Sequence, residues 1–243
     1  MARAAVLGRL SWLVAEVTET VTETPRVRTL VLDVAEWPGH RAGQHVDVRL
    51  TAEDGYQAER SYSLAAAPGE APTVTVERLD DGEVSPYLVD EVVPGDRFEL
   101  RGPIGGWFVW DADESTDPLF LVAGGSGVVP LMAMLRHRRA TGSTVPARLL
   151  YSSRTLEDVI YRDELDTLDA EVVQTLTREQ PSGWTGFGRR VDRELLQEVA
   201  YPPEHNPRVY VCGPTRFVEA VADSLVGLGH KPGRIKTERF GGA

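Results

Sequence analysis

The sequence predicts an antiparallel β-barrel over residues 1–112 followed by an α/β domain with a parallel sheet over residues 113–243. Three observations carry that prediction. The first half alternates β-branched and polar residues at period two between closely spaced turn signals. From about residue 118 the pattern changes to unbroken apolar runs alternating with helical spacing, the order of a parallel sheet with helices on its faces. Between the halves lies DADESTDP (111–118), acidic and without a core face, where the domains divide.

In the first half, VTETPRVRTLVLDV (21–34), QHVDVRL (44–50) and PTVTVERL (72–79) read as strands, with turns at Pro38-Gly39, Glu53–Gly55, Pro68–Glu70 and Asp80–Gly82. About six short strands at this spacing make a small barrel. SPYLVDEV (85–92), closed by Pro94-Gly95-Asp96, is a short helix inside it. In the second half PLFLVA (118–123), the helical PLMAMLRHRRA (130–140) and ARLLY (147–151) form a βαβ unit. YRDEL (161–165) begins a helix, AEVVQTL (170–176) is a strand, VDRELLQEVA (191–200) a helix, RVYVC (208–212) a buried strand, and FVEAVADSLVGLG (217–229) a helix ending at glycine.

Composition narrows the function. Apolar residues at 42% and charged residues at 26% describe an ordinary globular protein. With 26 Lys and Arg against 37 Asp and Glu the net charge is −11, the wrong sign for wrapping nucleic acid or anionic lipid. The single cysteine, Cys212, excludes an intrachain disulfide and an all-cysteine iron–sulfur site, so a redox cofactor here is organic. His40, His45, His137, His205 and His230 show no close metal-ligand spacing and are read mostly as surface residues. No apolar run is long enough to span a bilayer, and MARAAVLGRLSW lacks the apolar region of a secretion signal, so the expectation is a cytoplasmic protein.

VAGGSGVVP (122–130) is the strongest motif of the second half. Gly124, Gly125 and Gly127, between a strand and a helix, let the backbone turn sharply and let a phosphate approach the amides at the helix N-terminus; any tight strand-to-helix turn also favours glycine. The following strand ends in Tyr151-Ser152-Ser153-Arg154, with no acid for a ribose 2′-hydroxyl, and Thr177-Arg178 follows the next one. Ser153, Arg154, Thr177 and Arg178 therefore tilt the coenzyme toward NADP, with Glu157, Asp158 and Glu179 close enough to blunt the charge. In the first half, Arg60-Ser61-Tyr62-Ser63 and the glycine turn Gly82-Glu83-Val84-Ser85 supply an arginine, a hydroxyl and an anion-ready helix start, the parts of a diphosphate cradle; Val84 and Ser85 are equally read as a helix cap.

RSYS (60–63), GEVS (82–85), GPIG (102–105), GGSGVVP (124–130), VCGP (211–214) and ERFG (238–241) occur in the order and spacing of the ferredoxin-NADP reductase superfamily, which the chain resembles from about Trp12 to Gly241. It looks most like bacterial oxygenase reductases without an iron–sulfur domain. The resemblance implies a ferredoxin reductase-like fold with FAD in the barrel and NADP(H) or NAD(H) on the parallel sheet. It implies that Arg60 pairs with the FAD pyrophosphate, Tyr62 stacks on the isoalloxazine and Ser63 serves flavin N5, with Ser61 beside them. It places the Val76 and Glu77 backbone along the flavin and Gly82, Val84 and Ser85 at the second phosphate. Gly124, Gly125, Ser126 and Gly127 then form the coenzyme loop. Cys212, Gly213 and Pro214 stand beside the nicotinamide, and Glu238 and Phe240 reach back to the flavin. Plant-type members end on a tyrosine, whereas this chain continues past Phe240 with Gly241-Gly242-Ala243.

The implied reaction is hydride transfer from NADPH or NADH to flavin N5, with Ser63, Cys212 and Glu238 at the reacting centre, followed by single electrons to a separate acceptor. The leading acceptor is a ferredoxin, met transiently by a monomer. Because ferredoxins are acidic, Arg136, Arg138 and Arg139, with Arg26 and Arg28, are candidates for a basic docking face. A stand-alone flavin, ferric or quinone reductase needs no such face, and a non-enzymatic flavin-binding regulatory subunit is the rival from another class. Ser126 lies in no G-x-S-x-G elbow, which argues against a hydrolase.

Overall fold

The computed structural model describes residues 10–114 and 116–240; the opening segment and the Gly241–Ala243 tail lie outside them. Pro25 and Arg26 split the first expected strand: β1 (Trp12–Thr24) turns there into β2 (Val27–Val34), pairing Thr24 with Val27. β3 (His45–Thr51), β4 (Gln57–Ser63), β5 (Thr73–Glu77) and β6 (Arg97–Ile104) complete an antiparallel sheet of order β4-β3-β6-β1-β2-β5. Its edge strands meet where Leu64 bridges Val74, so the sheet curls into a barrel whose seam runs beside β4 and β5. Period-two alternation turns Leu30, Leu32, Val46, Val48 and Leu100 inward. The helix α1 (Ser85–Asp90), with proline in its first turn, adds Val84, Leu88 and Val92 to the same core.

The second sheet is parallel: β7 (Leu119–Gly124), β8 (Ala147–Ser153), β9 (Glu171–Leu176), β10 (Arg208–Pro214) and β11 (Ile235–Phe240), in the order β11-β10-β7-β8-β9. The chain starts at the centre, moves out to β9, then crosses to the other side of β7. This reversal opens a crevice at the carboxyl ends of β7 and β10, where ligands of such sheets bind. β11 is a strand that periodicity did not announce.

α2 (Val128–Ala140) is buried on nearly all sides from Val128 to Leu135, because it wedges between sheet and barrel. Its core joins Val27, Ala42 and Ala65 of the barrel to Leu121, Leu131 and Met134. The other face of the sheet is covered by α4 (Arg193–Val199), capped by Asp192, and by α5 (Thr215–Gly227). α3 (Arg162–Leu165) is a single turn. The acidic linker is tied to both domains: Glu114 pairs with Arg41 at 2.8 Å and with Arg208 at 3.2 Å.

Two expectations are corrected. His40 and His230 are buried, and Ala66 carbonyl lies 3.0 Å from His40 Nε2, so these two are not surface residues. Of the five arginines offered as a basic face, Arg28, Arg136 and Arg138 are committed internally. Arg136 bonds Glu164 and the Ala65 carbonyl, and Arg138 is buried on the Val145 and Asp169 carbonyls. Arg28 bonds the Val89 and Val92 carbonyls. Arg26, on the Arg78 carbonyl and Asp80, and Arg139, 3.7 Å from Glu164, both stay exposed. Helix ends and hairpin turns leave carbonyls that guanidinium groups satisfy.

Candidate functional site

A half-open cavity of about 560 Å³ lies between the barrel seam and the carboxyl ends of β7, β8 and β10. It brings together Arg60, Ser61, Tyr62 and Ser63 from β4, Glu77 from β5, and the Gly82, Val84 and Ser85 turn. Opposite them stand Gly124, Gly125 and Ser126, with Ser153, Arg154 and Thr177 at one end and Pro214 and Phe240 at the other.

On the barrel side, Arg60 is half exposed, bonding the Glu59 carbonyl at 2.6 Å and reaching Glu83 only at 3.7 Å. Its guanidinium fork is open to a diphosphate. Tyr62 packs on the barrel core, and burial pushes its phenol well above the usual range, so it stays neutral. Ser61 donates to Asp47 at 2.6 Å. Val84 holds the helix cap position without a side-chain bond, while Ser85 Oγ accepts from the Leu79 amide at 3.0 Å; the turn is built by that bond and the capping reading fails. Val76 is fully buried in the barrel core and lies outside the cavity lining, between Thr75 and Glu77, which line it.

On the sheet side, Gly125 takes φ +56, and the Gly125–Gly127 turn runs straight into α2. Gly127 lies outside the cavity lining, and a Cβ there would stand 2.1 Å from the Cys212 carbonyl oxygen, so its role is close packing of the loop on β10. Ser126 Oγ donates to Glu77 Oε2 at 2.7 Å, a bond that joins the two halves of the site. Ser153 is 6% exposed, lines the cavity and has its side chain beside the buried Tyr151 hydroxyl. The Arg178 amide bonds the Arg154 carbonyl at 2.9 Å, holding the two loops side by side, although Arg178 itself is outside the lining.

Cys212, Gly213 and Glu238 lie behind the wall. Cys212 is fully buried, and burial, then the Glu238 charge, push its thiol up, keeping it protonated. Glu238 is paired in register with Cys212 and stands 3.7 Å from His45 Nδ1; burial pushes its carboxyl up to about 7 and pushes His45 down. Phe240, in register with Pro214, lies in the lining.

The reading of the sequence missed Thr24, Arg26, Thr75, Asp158, Ile160 and Phe217, which also line the cavity. Thr75 was within reach, since alternation puts it on the face of Glu77. Phe217 packs against Gly124 and Gly213, a contact between distant segments that no local pattern signals.

The residues fit a dinucleotide on each side: a half-exposed guanidinium and a glycine turn near a flat phenol, and a glycine loop leading to the Ser153 hydroxyl beside Arg154. The family Oxidoreductase FAD-binding domain matches residues 14–109, and Oxidoreductase NAD-binding domain matches residues 121–223. The chain is 34% identical over 230 residues to Ferredoxin–NADP reductase B of Sorangium cellulosum, covering 89% of this chain and 93% of that one. The chain belongs to the ferredoxin–NADP reductase superfamily. It is also 30% identical over 235 residues to the glycine betaine monooxygenase reductase subunit of Chromohalobacter salexigens, covering 92% of this chain but spanning only 62% of that protein's length. Among solved structures it superposes on the FAD/NAD-binding domain of Vibrio cholerae nitric oxide dioxygenase with a TM-score of 0.83 at 26% identity, over 95% and 99% of the two chains. As a member of this superfamily it carries both the FAD-binding and the NAD-binding oxidoreductase domain. Among the described residues no group of His, Cys, Asp and Glu forms a metal site, and no helix is long and apolar enough to cross a membrane.

Proposed function

We propose that the chain is an FAD-dependent NAD(P)H oxidoreductase, preferring NADPH, that passes single electrons to a ferredoxin serving an oxygenase and works as a cytoplasmic monomer. The observation that carries this reading is one undivided cavity faced by the Arg60–Ser63 edge, the Gly82–Ser85 turn and the Gly124–Ser126 loop. Bound flavin supplies an acceptor for a hydride that afterwards releases its electrons singly.

The chain's own residues do the holding. Arg60 would fork onto the FAD diphosphate, with the Gly82–Ser85 turn receiving its other phosphate; Tyr62 offers a flat apolar face and Ser63 a hydroxyl. The Gly125 and Ser126 turn would receive the coenzyme diphosphate. Ser153, Arg154, Thr177 and Arg178 would take the ribose end, where cations and hydroxyls without a ribose-binding acid suit a 2′-phosphate. Phe240 covers the cavity end, and Glu238, half-protonated near pH 7, can hold or release a proton beside His45. One cysteine cannot hold an all-cysteine iron–sulfur cluster, so the single-electron acceptor lies outside these 243 residues.

The relatives named as oxygenase reductase components support an electron-transfer partner in an oxygenase system, and those named as ferredoxin reductases support a ferredoxin as the acceptor. A stand-alone flavin, ferric or quinone reductase is the second reading, favoured by the internal commitment of Arg28, Arg136 and Arg138, which reduces the basic face drawn from the sequence to Arg26 and Arg139. The test is anaerobic stopped-flow absorbance of the FAD-loaded protein mixed with NADPH or NADH, then with a ferredoxin, free FMN, a ferric chelate or a quinone. NADPH should bleach the flavin band faster than NADH, and ferredoxin should restore it fastest. A flavin band that neither coenzyme bleaches would leave the regulatory-subunit reading, and faster reoxidation by a small acceptor would favour the second.

A further inference from the structure

Tyr161 adopts φ +59, a left-handed conformation that strains a bulky residue and persists only where its surroundings hold it. Those surroundings form a closed ring of hydrogen bonds across the domain seam. The Tyr161 hydroxyl donates to Thr75 Oγ1 at 2.5 Å, and Thr75 Oγ1 lies 2.8 Å from Thr29 Oγ1. Thr29 Oγ1 donates to Glu23 Oε1 at 2.6 Å, and Glu23 Oε2 accepts from the Tyr161 amide at 3.3 Å. Donation therefore runs one way, from Tyr161 through Thr75 and Thr29 to the carboxylate, which also binds the backbone of the residue where the chain of bonds began. Such runs polarise one another and strengthen.

Glu23, Thr29 and Thr75 belong to β1, β2 and β5 of the barrel, whereas Tyr161 lies just before α3 of the nucleotide domain. A second crossing sits on the same residue: Arg136 lies 4.5 Å over the Tyr161 ring and donates to the barrel's Ala65 carbonyl at 2.8 Å. Thr75 and Ile160 line the cavity, so the ring is part of its wall.

We propose that Tyr161 is a positioning residue that fixes the separation between the barrel and the nucleotide sheet, and with it the approach of coenzyme to flavin. The inference rests on the oxidoreductase reading above. Hydride transfer needs reacting atoms about 3–3.5 Å apart, and a misplacement of about 1 Å costs roughly a hundredfold in rate. The seam is thus where a small loss of order reaches the chemistry while the residues assigned to hold FAD and coenzyme are left unchanged. Burial pushes the Tyr161 phenol up to about 12, so it remains a donor at working pH.

Tyr161→Phe keeps the ring under Arg136 and removes the donor, and Glu23→Gln breaks the ring of bonds at a residue outside the cavity lining. In anaerobic stopped-flow, each variant should retain FAD and bind NADPH within about twofold of the unmodified protein, lose about tenfold in the rate constant of flavin bleaching, and show a weaker long-wavelength charge-transfer band. Unchanged rate and band in both variants, or a rate loss matched by equal losses of FAD and coenzyme affinity, would overturn the proposal. If Tyr161→Phe does not fold, Glu23→Gln decides by the same criteria. An unmodified protein that neither coenzyme bleaches removes the oxidoreductase reading and the inference with it, whereas normal bleaching with unaffected variants removes the inference alone.

Discussion

Arg60, which the proposed function assigns to the FAD diphosphate, is half exposed, with its acidic neighbour Glu83 3.7 Å away. An exposed pair of that length contributes little, whereas a charge-assisted fork on a phosphate is worth about 1.5–3 kcal/mol. Arg60→Ala should therefore weaken FAD binding by roughly tenfold to a hundredfold, measured by flavin fluorescence titration, with little change in melting of the FAD-free protein. Arg178, assigned by the proposed function to the coenzyme end, has its amide on the Arg154 carbonyl. Arg178→Ala should raise KM for NADPH about tenfold while leaving KM for NADH nearly unchanged, and equal effects on both would remove the reason to prefer NADP. Glu238 and His45 are both driven by burial toward their neutral forms, so their 3.7 Å approach is no ion pair just below neutral pH. The folded carboxyl titrates at about 7 against an ordinary 4.5, so between those values the folded protein binds a proton that the unfolded chain has released. Its contribution to stability is greatest at low pH and falls as pH rises to 7 and above. Urea unfolding at about pH 5 and about pH 8 should show that fall shrink in Glu238→Gln by on the order of 2 kcal/mol.

At the scale of an element, the glycine loop was legible as a place but not as a set of roles. Strand, three glycines and helix in order located the turn from β7 into α2 that lines the cavity, because turn chemistry is local. That Gly127 exists to let α2 sit against β10 depends on a strand more than eighty residues later in the chain, and no window of sequence contains it. The same limit explains β11, an edge strand read from the sequence only as a terminal motif, and the hairpin at Pro25-Arg26, hidden inside a continuous alternation. The arginines of α2 failed as a docking face for a related reason: their spacing marks one helix, while the carbonyls they satisfy come from other segments. The two glycine roles separate under mutation. Gly125→Ala strains a φ of +56 with open space around the new Cβ and should cost about 1 kcal/mol. Gly127→Ala must displace the Cys212 backbone and should cost more, about 1–3 kcal/mol, and also raise the coenzyme KM. Denaturant unfolding of the two variants checks the order, and a reversed order would contradict the packing role.

For the whole molecule, the two-domain division drawn from composition describes the chain's grammar better than its energetics. The barrel and the sheet keep separate inner cores, but the third apolar cluster crosses between them, joining Val27, Ala42 and Ala65 to α2 and the face of the parallel sheet. Ser126 on Glu77, Tyr161 on Thr75 and Arg136 on the Ala65 carbonyl cross the same seam. Pulling the domains apart would expose a helix that is apolar on nearly every side and strand those polar groups, so neither half has a stable surface of its own. Unfolding should then be a single cooperative transition. Calorimetry of the FAD-loaded protein should give equal calorimetric and van't Hoff enthalpies, with flavin release, barrel tryptophan fluorescence and loss of helix coinciding. Added FAD should raise the one Tm, because it binds only the folded state. Two resolved transitions, with flavin leaving in the first, would show that the shared core does not couple the domains, and the seam could not then hold the cavity at a fixed width.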